Sequence, residues 1–208
     1  MPSPASLAAT EPSRERILAA ARGEFADRGF AGARLQDIAR RAELSHPTLL
    51  YWFNSKEELY RAVIAEAFAD FAADTRAAIS TGLRGFDQVA SLVDAAFRFF
   101  KDHEHFVRIM RREAIEGGGR LEGAMADFLR PFLDGAVAFL QRETAAGRLR
   151  PTDPVELMQV CYGAVSTYFS DARFRAKLVG GDPLTHASLE RQRGALTELL
   201  RAALAPSP

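Results

Sequence analysis

The chain has 208 residues, enough for one large domain or two small ones, and its 27 Lys/Arg balance its 27 Asp/Glu, so it does not coat nucleic acid by charge alone. The single cysteine, Cys161, lies in an apolar stretch, which excludes a disulfide framework and a thiolate zinc site and fits a reducing, cytoplasmic setting. No apolar run approaches the roughly 18 to 20 residues of a membrane span, so a soluble protein with no membrane partner is expected. Ala, Leu, Arg and Glu dominate and no Val/Ile/Thr-rich alternating run competes with them, which predicts an all-α fold.

Residues 1–12, rich in Pro, Ser and Ala, read as a disordered tail and not as a signal peptide. Ser13 to Arg28 carries Ile17, Leu18, Ala21 and Phe25 on one helical face, closed by Gly29. Leu35 to Ala42 reads as a short second helix with Leu35, Ile38 and Ala39 inward. Ser45 offers an N-cap for a third, His46 to Phe53, with Leu49 and Phe53 inward. Ser55 with Glu58 forms a capping box that opens a long fourth helix to about Ser80, striped by Leu59, Val63, Ala67 and Phe68.

Beyond it, Phe86, Val89, Val93, Phe97 and Phe100 repeat at helical spacing, and Phe106 to Ile115 continues after a polar break. Gly117-Gly118-Gly119 is a loop. A long helix from about Leu121 to Ala146 should be kinked by Pro131 and ended by Gly147. Asp153-Pro154-Val155-Glu156 starts another helix, whose stripe runs from Leu157 through Cys161, Tyr162 and Tyr168 to Phe169. After the turn Gly180-Gly181-Asp182-Pro183, a last helix carries Leu189, Leu196, Leu200 and Leu204.

Three short helices followed by a long one, with a tight turn between the second and third, form a helix-turn-helix over 35–53. Ala39 lets the two helices cross closely, and Ile38, Leu44 and Leu49 hold them together. The third helix then projects His46, Pro47, Leu50 and Tyr51, with Thr48 at the flank, towards a major groove. The segment 13–61 carries nine Lys/Arg and seven Asp/Glu, a surplus of +2 too weak to define a partner.

Arg16-Ile17-Leu18, Phe25, Gly29-Phe30, Asp37-Ile38-Ala39, Leu44-Ser45 and the run Leu49 to Leu59 resemble the DNA-binding domain of the TetR family in order, spacing and residue type. The resemblance covers about Ser13 to Val63. It implies a helix-turn-helix domain over 13–61 and a helical bundle over 62–208 that binds an effector and dimerises. Ser45 would cap the recognition helix, His46 and Thr48 would bond base edges or nearby phosphate, and Pro47 would press on a thymine methyl. Tyr51, Trp52 and Lys56 would hold phosphates, and Gln36 would reach the groove edge. Trp52 has a second reading, as packing against the fourth helix. Three positions depart from the family pattern. Glu43 stands where Gly is usual in the turn, Leu50 where a Tyr is common, and Arg34 where Ser or Thr usually caps the second helix, so a cap is exchanged for a phosphate-binding cation.

In the second unit the phrase Gly147-Arg148-Leu149-Arg150-Pro151 also resembles the family. The ridge Leu189, Leu196, Leu200 and Leu204 is a candidate homodimer interface, as is the stripe from Leu157 to Phe169, which equally suits an internal core. A pocket for a small apolar or aromatic effector is expected from Phe97, Phe100 and Phe128, with His103, Arg108, Arg111, Tyr162 and Tyr168 as its polar groups; each Phe also suits a plain core role. A dimer would place two recognition helices on a near-palindromic duplex operator, and the resemblance implies a ligand-responsive transcriptional repressor. The competing reading is an effector-independent architectural or partition-type DNA-binding protein. An enzyme is disfavoured: no phosphate loop follows the triple glycine, and no nucleophile–base motif is present. His103 and His105, two apart on a helix, face different ways, so no metal and no cofactor is expected.

Overall fold

The computed structural model describes residues 11–119 and 122–206. Ten helices and no strand occur among them, which makes the fold all-α. In chain order they are α1 (Glu11–Gly32), α2 (Leu35–Arg41), α3 (His46–Trp52), α4 (Lys56–Ile79), α5 (Gly85–Asp102), α6 (Glu104–Ile115), α7 (Glu122–Ala145), α8 (Pro154–Ser170), α9 (Ala172–Val179) and α10 (His186–Leu204). The first ten positions of the expected tail, and Leu121 at the expected start of the long helix, lie outside the described residues. Glu11 and Pro12 already belong to α1, and α9 is a helix of its own that the sequence pattern merges into the end of α8.

Two apolar clusters organise the chain. In the first, Ile17, Leu18, Ala21 and Phe25 of α1 meet Ile38 of α2, Leu49 of α3 and Leu59, Val63 and Ile64 of α4, all essentially inaccessible to water. Ile109 and Met110 of α6 complete it. The second cluster joins α5, α7, α8 and α10 around Phe97, Phe99, Phe100, Val165 and Phe169. The ridge Leu189, Leu196, Leu200 and Leu204 lies inside this cluster, each residue at most 8% exposed. That corrects its expected place on an open interface: the amphipathic period of α10 is spent on the core of its own chain.

Helix ends follow local chemistry. α1 breaks at Gly29 (φ 69°, ψ 175°), where a Cβ would fall 2.6 Å from Nη1 and 2.7 Å from Cδ of Arg112. The backbone conformation therefore demands glycine, and the flexible Arg112 side chain occupies the space a Cβ would take. The Ser55 hydroxyl accepts from Glu58 N (3.1 Å), as a capping box requires, but the Glu58 carboxylate turns to Asn54, accepting from its N and Nδ2 at 3.0 Å. α7 continues through Pro131 without ending.

At the end of α7, buried Glu143 accepts from Arg148 Nε (2.6 Å), Gly85 N (2.9 Å) and Arg142 Nε (3.2 Å). It ties the start of α5 to the loop 146–153, where Arg150 also reaches α10 by N to Leu204 O (2.7 Å) and Nη1 to Ala202 O (3.1 Å). The Arg148 hydrogen bond, with help from Gly85 and Arg142, outweighs burial and holds the Glu143 carboxyl down to about 2, against 4.5 ordinarily. A depressed carboxylate stabilises the fold fully above its unfolded value and loses that contribution as pH falls through its folded value.

The turn between α2 and α3 is a Schellman motif. Leu44 N donates to Ala39 O (2.9 Å), Glu43 N donates to Arg40 O (3.1 Å), and Glu43 stands in the left-handed region at φ 57°. Its carboxylate, nearly fully exposed, has only a 4.0 Å ion pair with Arg16 to offset the strain.

Two predictions follow these contacts. Glu43→Gly should stabilise the protein by about 0.5–1 kcal/mol, read as a rise of roughly 1–4 °C in melting temperature, because glycine removes the steric cost of that conformation. Glu143→Gln should flatten the acid side of the stability profile. Between pH 4.5 and about 2 the native protein should lose about 1–3 kcal/mol that the variant does not lose, as measured by urea unfolding at a series of pH values.

Candidate nucleic-acid interface

α3 is only seven residues long, so its position depends on what holds its two ends. At its start Ser45 accepts from Thr48 N (3.2 Å), and the Ser45 and Thr48 hydroxyls lie 2.7 Å apart. Pro47 sits in the first turn, where its missing N–H costs nothing. At its end Phe53, buried in the first cluster, closes the helix with its N–H on Leu49 O (2.9 Å). Leu49 between them is fully buried.

With Leu49 and Phe53 committed inward, the other face is open. Pro47, Leu50 and Tyr51 are exposed, Tyr51 at 79%, and His46 and Thr48 are half-buried beside them. Trp52 is half-buried against the first cluster, with its ring edge-on to Tyr51 at 5.7 Å, which favours the packing alternative for this residue. On α2, Arg34 and Gln36 are exposed next to the same face. Arg34 occupies the N-cap without a side-chain hydrogen bond and pairs with no carboxylate among the described residues.

The other cations of this region are occupied. Arg40 pairs with Asp37 (2.7 Å), Arg28 with Asp37 and Glu24 (3.2 Å each), and Arg41 with the buried Glu24 (3.0 Å). Lys56 is half-buried, and its Nζ donates to Ala33 O (3.1 Å) in the turn that follows α1. Nothing in the sequence pattern marks that contact, since the spacing of 23 residues is set by the fold.

Of the eight residues expected to line one effector pocket, Phe97, Phe100, His103, Phe128 and Tyr168 belong to one network of ring contacts through Phe71, Phe99 and Phe169, while Arg108 and Arg111 pair with Asp27 and Asp171. Phe97 and Phe100 pack on Phe169, with centroids at 5.9 and 6.0 Å, whereas Phe128 stacks on Phe68 at 4.0 Å. His103 places Nδ1 3.0 Å from Phe99 O and Nε2 3.1 Å from Asp70 Oδ2. Arg111 reaches Thr167 (3.5 Å) and Asp171 (3.8 Å) of the α8 end. Tyr168 donates its hydroxyl towards Pro183 O (2.6 Å) and Ser188 O (3.2 Å), and Tyr162 is exposed. Only Tyr168 of the eight borders a half-open cleft of about 330 Å³, which Arg175, Pro183 and Arg191 also line.

Arg108 serves a junction the sequence reading missed. Its Nη2 donates to Asp27 Oδ1 (2.8 Å) and Ala26 O (3.2 Å), joining α6 to α1 and holding the Asp27 carboxyl below its ordinary range. Close by, Tyr60 of α4 donates to Glu113 Oε1 of α6 at 2.9 Å inside the protein. The usable signal was Ile109 and Met110, an apolar pair on a helix otherwise rich in arginine.

Comparison with known proteins agrees with this geometry. The family model described as "Bacterial regulatory proteins, tetR family" matches residues 17–63, and that described as "Tetracyclin repressor-like, C-terminal domain" matches 86–200, more than half the chain. The HTH-type transcriptional regulator RutR of Escherichia coli (strain K12) is 27% identical over 160 residues, 77% of this chain and 75% of RutR. The HTH-type transcriptional repressor NicS of Pseudomonas putida is 29% identical over 139 residues, 66% of this chain and 64% of NicS. Among solved structures, the transcriptional regulator FadR of Bacillus subtilis in complex with stearoyl-CoA has a similar fold, with TM-score 0.72 at 16% identity over 89% of this chain and 96% of FadR. Two matched halves, in the order the helices require, assign the chain to the tetR family of bacterial regulatory proteins, DNA-binding transcriptional regulators.

Proposed function

We propose that this protein is a ligand-responsive repressor that binds a near-palindromic operator as a homodimer in the cytoplasm. The observation that carries the reading is the outward face of α3. A seven-residue helix is pinned at both ends, buries Leu49 behind it, and leaves Pro47, Leu50 and Tyr51 in water. Such a face suits a major groove, which admits one helix and offers distinct donors, acceptors and methyl groups at each base pair. In this reading residues 13–61 recognise DNA and 62–208 bind effector and dimerise, with the seam inside α4.

The roles follow from chemistry. His46 and Thr48 bond base edges, Pro47 and Leu50 meet thymine methyls, and Gln36 reads an edge from α2. Tyr51 and Arg34 take phosphates, while Ser45 and Trp52 hold the helix in place. For dimerisation, the exposed large apolar side chains cluster in the last three helices: Val155 and Val160 of α8, Phe174 and Leu178 of α9, and Leu199 of α10. Exposed apolar side chains on these helices favour a second copy of the chain as their cover, which replaces the buried leucine ridge as the interface candidate.

For the effector, Phe128 and Phe132 of α7 meet Phe68 and Phe71 of α4 (ring centroids 4.0 and 5.2 Å), a closed aromatic layer that an apolar or aromatic ligand would part to enter between the two helices. The complex of the similarly folded FadR with stearoyl-CoA supports that class of ligand. The repressor name of NicS supports the sign of regulation.

Footprinting on genomic fragments should find one protected near-palindrome, with half-sites about 34–36 Å apart centre to centre. His46→Ala should lower discrimination among half-site variants by roughly 5- to 100-fold, whereas Tyr51→Phe should weaken every duplex alike. The protein should sediment as a dimer, and the pair Val160→Glu and Leu199→Glu as a monomer with lost operator affinity. Diffuse protection, or equal effects of the two α3 variants, would overturn the reading. Long-chain acyl-CoA thioesters and aromatic carboxylates form the effector panel. A member at about 100 times its Kd should add roughly 2.7 kcal/mol to stability and release the operator; no shift with any member would favour an effector-independent protein.

A further inference from the structure

The cleft that Tyr168 borders lies where the end of α8, α9, the loop 180–185 and the start of α10 meet. Its volume of about 330 Å³ stands at the small end of ligand pockets, which run from about 300 to 1,000 Å³. Two guanidinium groups line it, Arg175 from α9 and Arg191 from α10. Neither pairs with a carboxylate among the described residues, whereas Arg193, also on α10, pairs with both Asp94 and Glu190.

Both cations are nonetheless held in place, and by neutral groups. The Arg175 guanidinium lies 5.0 Å from the centre of the Tyr168 ring. That ring is buried and its hydroxyl donates towards Pro183 O and Ser188 O, so the platform beneath Arg175 is fixed. Arg191 Nη2 donates to Ser188 Oγ (3.0 Å), which donates to Asp182 O (3.1 Å) and accepts from Thr185 Oγ1 (2.9 Å). An aromatic face and a hydroxyl oxygen orient a guanidinium without neutralising it. Asp182 is the acidic residue of the lining, and it turns Oδ1 to Leu184 N (2.8 Å). The lining thus carries two positive charges against one negative.

A guanidinium fork that is oriented but not taken by an acid matches two oxygens of a carboxylate or phosphate at once. We propose that this cleft binds the oxyanion of a small molecule, a carboxylate or a phosphate, between Arg175 and Arg191. Val179 and Pro183 give the cleft an apolar wall for the carbon frame of such a ligand. The N-terminus of α10 is already closed by Thr185, which accepts from Ser188 N (3.3 Å), so the two arginines supply the attraction. The site stands apart from the aromatic layer between α4 and α7 and does not depend on DNA binding. Tyr168 alone connects the two, through its ring contacts with Phe97 (6.5 Å) and Phe169 (5.7 Å).

The test titrates the isotopically labelled full chain with sodium phosphate, sodium acetate or sodium chloride at constant pH and ionic strength, following the backbone amide resonances of Gly180, Gly181 and Asp182. Phosphate or acetate should shift these resonances with saturation, half-complete below about 5 mM, and chloride should not. The anion that saturates at the lower concentration tells phosphate from carboxylate. Arg175→Ala and Arg191→Ala should each raise the half-saturation concentration by about 10- to 100-fold. Arg191→Lys, which keeps the charge and loses the fork, should fall between. Arg98→Ala, at an exposed position of α5 outside the cleft, should change nothing.

Shifts that grow linearly with every salt, or saturation that survives both alanine substitutions, would overturn the proposal. So would a wild type that answers no added anion while Arg175→Glu or Arg191→Glu dissociates its dimer, a result that assigns the arginines to an acidic side chain of a second copy. If Arg175→Ala does not fold, Arg175→Gln, which keeps a planar terminus without the charge, is read by the same criteria.

Discussion

Ile109 and Met110 sit in a core that is otherwise built by α1 to α4. Through these two side chains, a helix from the second half of the chain is part of the first cluster. Removing α6 would leave a hole in the core behind the recognition helix. Such losses cost several kcal/mol when a large apolar side chain is deleted. The position of α3 is therefore tied to the position of α6, and α6 in turn packs on α8.

Polar contacts run along the same seam. Arg108 pairs with Asp27, and Arg41, within 3.9 Å of Asp27, also holds Glu24. Glu24 pairs with Arg28, which reaches Asp37 of α2, the partner of Arg40. Individually these pairs are weak, because most of their members touch water. As a connected set they fix relative orientation, since a shift of α6 alters the partners of α1 and α2 together. That is the kind of discrete rearrangement by which ligand binding can bias one geometry of the recognition helices over another. The same pairing leaves α3 and its surroundings with few unpaired cations among the described residues, so this face offers a polyanion little bulk attraction.

Much of this was legible in the sequence because the relevant forces are local. Gly29, Ser45 with Thr48, Ser55 with Glu58, and Asp153 before Pro154 each announce a helix end through chemistry within four residues. Glu43 was legible as a strained turn for the same reason. Features decided by chain topology were not. The α10 leucines have a period that says one face is apolar, yet not which surface covers it. Arg108 was assigned to a pocket although it bonds a residue 81 positions away, and the contact of Lys56 with Ala33 O, 23 positions away, left no mark in the sequence. Phe97, Phe99, Phe100, Phe106, Phe128 and Phe132 join one network of ring contacts through Phe71 and Phe169, a connection that spacing alone does not reveal.

The break at Gly29 places two tasks on one atom position. Its backbone must turn where α1 yields to the approach of α2, and the space above its Cα is filled by Arg112 of α6. Any side chain there strains the backbone at the break in α1 and obliges the Arg112 side chain of α6 to move in the same stroke. A substitution at this one position near the front of the chain is therefore felt on a helix of its middle, so the place of a mutation along the sequence is a poor guide to the contacts it disturbs.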